Sequence, residues 1–294
     1  MNLSKPKNGP KNSMNKTQLS NFNHKVTLLG GQTFSWELAD PKNSTYIGVT
    51  QNYAIKARFE KKYLYWQTYP EKDNFSLIKS YFRLDEDYQR ILSNIGHDKF
   101  VKKAMLAVPN IRLLRQPFDQ TTLSFIISAN NNITAIRKSI NHLRRMLGDK
   151  IDVDGQDVFL FPKTDVIANT DKAKLRETKI GYRDKYISKT AKLLVEQDLA
   201  GKITKFSEEK ARKHTLALPG VGNKVSDCIL IFALGFENLS PIDVWTKRFL
   251  TDLYNLPANW SYEQFRAWVK DNFHGYASWA NQFLFEWYRN AKAT

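Results

Sequence analysis

Leu218-Pro219-Gly220-Val221-Gly222-Asn223-Lys224-Val225 lies between two segments, near 206–216 and 223–235, whose apolar residues recur with helical period. Gly220 and Gly222 permit a tight hairpin with outward-facing backbone amides. The second helix begins near Asn223, so its unpaired N–H groups and positive dipole end meet the same turn, a good seat for a phosphate. An ordinary helix–helix turn uses the same glycines, and on their own they fit both readings. A Walker loop needs Gly-Lys-Ser/Thr in sequence, and a dinucleotide fingerprint needs a third glycine where Val225 stands; both are excluded.

Lys224 is unexpected in an ordinary turn. Lysine is favoured near helix C-termini, and here it occupies a first turn where the dipole opposes its charge. Val225, Ile229 and Phe232 form the apolar stripe of the second helix, with Lys224, Cys228 and Ile231 on the adjoining face. A lysine so placed either snorkels to water or serves as an amine nucleophile. Nineteen residues further on, Asp243 closes Ser240-Pro241-Ile242-Asp243 ahead of another helical pattern. Its ordinary task there is to cap that helix, although a capping carboxylate facing a cleft can also stabilise a developing cation and relay protons.

Working outward, segments near 85–94, 97–107, 119–128, 133–147, 183–196, 244–254, 261–272 and 277–290 also carry helical period. Residues 25–80 alternate as strands of an antiparallel sheet do. The expected class is α+β, with a β-rich part at 25–112 and a helical part at 113–294. Residues 1–24, with four lysines and no acid, read as a flexible basic tail. Lys plus Arg outnumber Asp plus Glu by 45 to 29, a formal charge of +16. That excess favours a polyanionic partner through counterion release, although a solvated basic face or an anionic membrane surface fits the charge as well. The single cysteine, Cys228, excludes an intrachain disulfide and a four-cysteine metal or iron–sulfur set. No apolar run spans a membrane and the first 25 residues lack a signal-peptide core, so the expectation is an intracellular protein with no membrane partner.

Together these pieces resemble the helix–hairpin–helix glycosylase superfamily, and within it the 8-oxoguanine DNA glycosylase/AP lyase family. The similarity is carried by Gly31-Gln32-Thr33-Phe34-Ser35-Trp36, Tyr81-Phe82-Arg83-Leu84-Asp85, Leu113-Leu114-Arg115-Gln116 and Ser128-Ala129-Asn130-Asn131-Asn132-Ile133. It continues through Gly181-Tyr182-Arg183, the segment 218–244 and Tyr276-Ala277-Ser278-Trp279-Ala280. The resemblance implies that Lys224 attacks the sugar C1′ of a damaged nucleotide, expels the base and forms a Schiff base, with Asp243 stabilising the sugar cation before β-elimination. It implies a flipped base held between Cys228 and Phe285. The carbonyl of Gly31 would accept the N7–H that distinguishes 8-oxoguanine from guanine. Asn130 and Tyr182 would fill and wedge the emptied stack, Arg183 would contact the orphaned base, and Gly220 and Gly222 would meet DNA phosphates. The implied partner is damaged double-stranded DNA, bound by a monomer. No cofactor is implied beyond a structural monovalent cation at the hairpin when DNA is bound, and no metal site.

Three positions depart from the family pattern. Asn281 stands where a Gln usually reads the base edge, Trp245 where a His follows the catalytic Asp as a DNA contact, and Ala135 where an Arg faces the opposite cytosine. The expectation is weaker selectivity for the opposite base. Two competing readings remain at this point: a glycosylase for another lesion, and a non-catalytic helix–hairpin–helix DNA-binding module, which needs neither Lys224 nor Asp243.

Overall fold

The change of hydrophobic period near residue 80 marks a change of architecture. A computed structural model describes residues 14–19, 21–50 and 52–293. Its first part holds β1 (Asn15–Gln18), α1 (His24–Leu29), β2 (Trp36–Asp40), β3 (Thr45–Val49), β4 (Ala54–Glu60), β5 (Tyr63–Tyr69) and α2 (Phe75–Tyr81). The five strands form one antiparallel sheet in the order β1-β5-β4-β3-β2. In β4 and β5 the alternate residues Ile55, Ala57, Phe59, Leu64 and Trp66 turn to one side and pack on Leu28 and on Ile78, Tyr81 and Phe82. The expected α+β class, a β-sheet part followed by a helical part, is the one observed.

Three boundaries differ from the sequence reading. Of the expected basic tail, residues 1–13 lie outside the described residues, but Asn15–Gln18 is an edge strand paired in register with Tyr63–Trp66. Thr17 and Leu19 turn inward there, and the Thr17 hydroxyl accepts from the Trp66 indole at 2.9 Å. Four residues were too few for their alternation to stand out from the Lys- and Asn-rich composition. The strand pattern placed from Lys25 is instead α1, capped by the Asn23 side chain accepting from Val26 N. The end of the expected sheet is α2, capped by Asn74.

The rest of the chain runs through α3 (Tyr88–Ile95), α4 (Lys99–Ala107), α5 (Phe118–Ser128), α6 (Ile133–Leu147), a hairpin of β6 (Lys150–Val153) and β7 (Gln156–Phe159), α7 (Thr164–Asn169) and α8 (Lys172–Leu175). After irregular helical turns at 176–183 come α9 (Asp184–Glu196), α10 (Leu199–Ile203), α11 (Glu208–Leu216), α12 (Asn223–Phe232), α13 (Val244–Tyr254), α14 (Tyr262–Asn272) and α15 (Ala277–Ala293). α5 is buried at every position except Asp119, so it is the central helix against which α6, α9 and α12 pack. The connecting segment before it joins the two parts, with Leu113 in the helical core and Leu114 in the sheet core. On α5, Gln120 Nε2 donates to Ser35 Oγ at 3.1 Å and to Val49 O at 3.2 Å, tying the sheet to the helices. Among the described residues no helix is long and apolar enough to cross a membrane.

Candidate active site

The α11–α12 turn is a helix–hairpin–helix. Val221 N bonds to Leu218 O at 3.1 Å, closing the turn, and Ser226 N to Gly222 O at 2.9 Å starts α12. Its arms are joined by Thr215 and Ser226, whose hydroxyls lie 2.7 Å apart, and by Arg212 Nη2 donating to Asn223 Oδ1 at 3.1 Å. α11, α13 and α14 each start with a side-chain cap, whereas α12 starts at Gly222 with none. Its first-turn N–H groups are therefore left for an external acceptor, as an anion site requires.

Behind the hairpin a cavity of about 560 Å³ opens between the sheet part and the helices. Lys224, Cys228, Asp243, Trp245, Asn281, Phe285 and Gly31, which lie far apart in sequence, all line it. The Lys224 ammonium sits 5.2 Å from the centroid of the Phe125 ring, over its face. Lys224 and Asp243 are both close enough to bear electrostatically on the Cys228 thiol. Burial dominates that thiol and pushes it up to about 12, with Asp243 and Asp227 adding to the rise and Lys224 opposing it. Cys228 is thus a neutral, apolar wall rather than a second nucleophile. Asp243 caps α13, its Oδ1 accepting from Thr246 N at 2.8 Å, and it also lines the cavity.

Gly31 has φ +112°, a backbone conformation that strains any side chain, and a Cβ there would lie 3.0 Å from Ile133 Cδ1. The adjacent Gln32 holds this loop rigidly. Its Nε2 donates to Arg112 O at 2.8 Å, its Oε1 accepts from Leu114 N at 2.9 Å, and its own carbonyl accepts from Gln116 Nε2 at 2.7 Å. On α15, Asn281 is 8% exposed and its Oδ1 accepts from the Ser240 and Thr246 hydroxyls at 2.8 and 3.1 Å. With that oxygen engaged, the amide NH₂ is the end left for a ligand.

At the rim, Asn130 follows α5 in the left-handed region, φ +51°, and is exposed. Tyr182 is 53% exposed. Arg183 is 8% exposed; Nε donates to Ala129 O at 3.0 Å, Nη1 to Ile180 O at 3.3 Å, and Nη2 to the carbonyls of Ala129 and Asn130. These bonds fasten the Asn130 loop to the turn before α9.

Two family models match in tandem. Residues 14–120 match the 8-oxoguanine DNA glycosylase N-terminal domain, and residues 123–273 match the HhH-GPD superfamily of base excision DNA repair proteins. The N-glycosylase/DNA lyase of Saccharomyces cerevisiae is 31% identical over 272 residues, covering 84% of this chain and 71% of the yeast protein. A probable N-glycosylase/DNA lyase of Methanothermobacter thermautotrophicus is 26% identical over 206 residues, covering 63% of this chain and 65% of its own. The chain belongs to the 8-oxoguanine DNA glycosylase family of the HhH-GPD superfamily. Among solved structures, the 8-oxoguanine glycosylase/lyase of Clostridium acetobutylicum, in complex with double-stranded DNA containing cytosine opposite the lesion, is similar with a TM-score of 0.90 and 26% identity over 100% of both chains. Its apo form gives 0.88 and 27%, covering 98% of this chain and 100% of that one.

Several members of this glycosylase's cavity escaped the sequence reading. Phe125, beneath Lys224, was not singled out, because a continuous apolar run gives no hint that one ring borders a cavity. Gln282 and Arg289 line it from α15, where the register from Asn281 and Phe285 could have located Arg289. Asp227, beside Cys228, is wholly buried and accepts from Tyr262 Oη at 2.7 Å and Arg266 Nε at 3.3 Å. Burial raises its carboxyl against the pull of those partners. It locks α12 to α14 on the side away from the cavity.

Proposed function

We propose that this chain removes 8-oxoguanine from duplex DNA and cuts the resulting abasic strand by β-elimination, acting as a monomer. The observation that carries the reading is the meeting of Lys224 and Asp243 in one open cavity beside the uncapped start of α12. The relatives bear on it by name: the yeast and archaeal proteins are named N-glycosylase/DNA lyases, and the Clostridium enzyme is seen on DNA bearing the lesion.

In this reading the damaged nucleotide leaves the stack and its base enters the cavity between Cys228 and Phe285. The Lys224 amine adds to C1′ as the bond to the base breaks, and the base departs with the bonding pair. The Asp243 carboxylate stabilises the positive charge that builds on the sugar. Loss of the amine proton and opening of the C1′–O4′ bond give an iminium. Removal of a C2′ proton then expels the 3′ phosphate oxygen. A backbone carbonyl at Gly31 would accept the N7–H of the oxidised base and repel the lone pair of guanine N7. The hairpin amides would hold the strand's phosphates, while Asn130 and Tyr182, exposed at the rim, would fill the gap in the stack. The test is mass analysis of products from otherwise identical duplexes carrying 8-oxoguanine, guanine or an alkylated purine. Free 8-oxoguanine plus a strand ending in an unsaturated sugar supports the proposal; release of a different base, or an intact abasic strand, refutes it.

A further inference from the structure

α15 sends a further residue to the cavity, one turn beyond Phe285. Asn281, Phe285 and Arg289 succeed one another at intervals of four and all line it. The Arg289 guanidinium lies 5.0 Å from the centroid of the Phe285 ring, and its Nη2 donates to Glu286 Oε2 at 2.7 Å. Glu286 is 2% exposed. Its other oxygen, Oε1, has no hydrogen-bond partner among the described residues and faces Gly30, where an added Cβ would lie 2.6 Å from it. Gly30 immediately precedes Gly31 in the rigid loop that forms the opposite wall. A chain of contacts therefore runs from that loop through Glu286 and Arg289 to the ring.

We propose that Arg289 and Glu286 are positioning residues for base recognition: the ion pair fixes the Phe285 ring at a set distance from the Gly30-Gly31 wall, and so sets the width of the slot that accepts the base. The pair is poorly suited to a purely stabilising part. Burial outweighs the attraction of Arg289 and pushes the Glu286 carboxyl up to about 7, so the fold bears a cost to keep it beside the cavity. Sub-ångström placement of stacking groups matters to rate far more than to folding.

The inference rests on the glycosylase reading, and one substrate pair separates the two. A preformed abasic duplex offers no base to the slot, whereas a duplex with 8-oxoguanine does. In Arg289→Met the ratio of abasic-strand cleavage to base excision should rise about tenfold or more, through KM and the excision rate together. Arg289→Lys, which keeps the ion pair, should recover most of it. Because Arg289→Met leaves a buried carboxylate alone, the double variant Glu286→Gln/Arg289→Met is measured beside it and should show the same rise. An unaltered ratio in the double variant, or parallel loss on both duplexes, would overturn the proposal. A parent protein that cleaves neither duplex would overturn the glycosylase reading and the proposal with it.

Discussion

The two hairpin glycines do different work, and single alanine substitutions separate it. Gly220 has φ +82°, and a Cβ there would lie 2.8 and 2.9 Å from Tyr186 Cβ and Cγ and 3.2 Å from Ile126 Cγ2. The left-handed backbone costs a non-glycine residue about 1–2 kcal/mol, and forcing a methyl into packed atoms costs about 1–3 kcal/mol more. Gly220→Ala should therefore lose roughly 2–5 kcal/mol of stability, the sum of those two effects. Gly222 is extended, with φ −97° and ψ −178°, and nothing lies within 4 Å of a Cβ built on it. Gly222→Ala should cost only about 0.5–1 kcal/mol, because alanine is a poorer N-cap than glycine but meets no neighbour here. Its added methyl would instead stand where a phosphate must approach the amides of α12, weakening DNA binding by about tenfold, or about 1.4 kcal/mol. Urea unfolding followed by tryptophan fluorescence reads the first quantity, and fluorescence anisotropy with an abasic-analogue duplex at fixed salt reads the second. Parent-like DNA affinity in a well-folded Gly222→Ala protein would refute the phosphate seat, and equal stability losses at both positions would refute the division of labour.

Other outcomes follow from the same coordinates. The Glu286 carboxyl is raised to about 7 by burial, opposed by Arg289, so the folded chain holds that proton more tightly than the unfolded one. The stability it contributes is complete below the ordinary value near 4.5 and is lost as the pH rises through about 7. Glu286→Gln should therefore stabilise the protein near pH 8 relative to the parent by up to about 3 kcal/mol and flatten its pH profile; unchanged urea midpoints across that window would contradict this. Arg183→Lys, unable to satisfy the carbonyls of Ala129, Ile180 and Asn130 together, should slow excision by about tenfold with every opposite base alike. With Ala135 offering no side-chain contact and Arg183 occupied, the parent should excise the lesion opposite all four bases at rates within about tenfold of one another. Single-turnover assays with the four duplexes check both, and strong cytosine preference abolished by Arg183→Lys would restore Arg183 to base reading.

The legible part of the site was the part with local grammar. A glycine turn, a lysine in a first turn and an aspartate ahead of a helix each break or satisfy a rule of helix ends, so Lys224 and Asp243 could be singled out before any coordinates. The helices from α3 onward followed their apolar period, with α7, α8 and α10 missed because segments of four to six residues hold too little of it. The β6–β7 hairpin was missed although Asp154-Gly155 marks its turn, since its strands are four residues each and largely exposed. What stayed hidden depends on distant pairing. Gln32 locks the Gly31 loop through partners about 80 residues away, Asp227 finds Tyr262 and Arg266 across two helices, and Glu286 finds Gly30 across the whole chain. The bonds of Arg183 to the carbonyls of a neighbouring loop stayed hidden for a related reason, since they join residues more than fifty positions apart.

Borohydride reduction during reaction with an 8-oxoguanine duplex tests the central assignment most directly, because it freezes an amine–sugar iminium as a stable bond. The parent protein should yield one protein–DNA adduct whose cross-linked peptide contains Lys224, and Lys224→Gln should bind the same duplex without forming it. An adduct that persists in Lys224→Gln, or that maps to another amine, would contradict the mechanism.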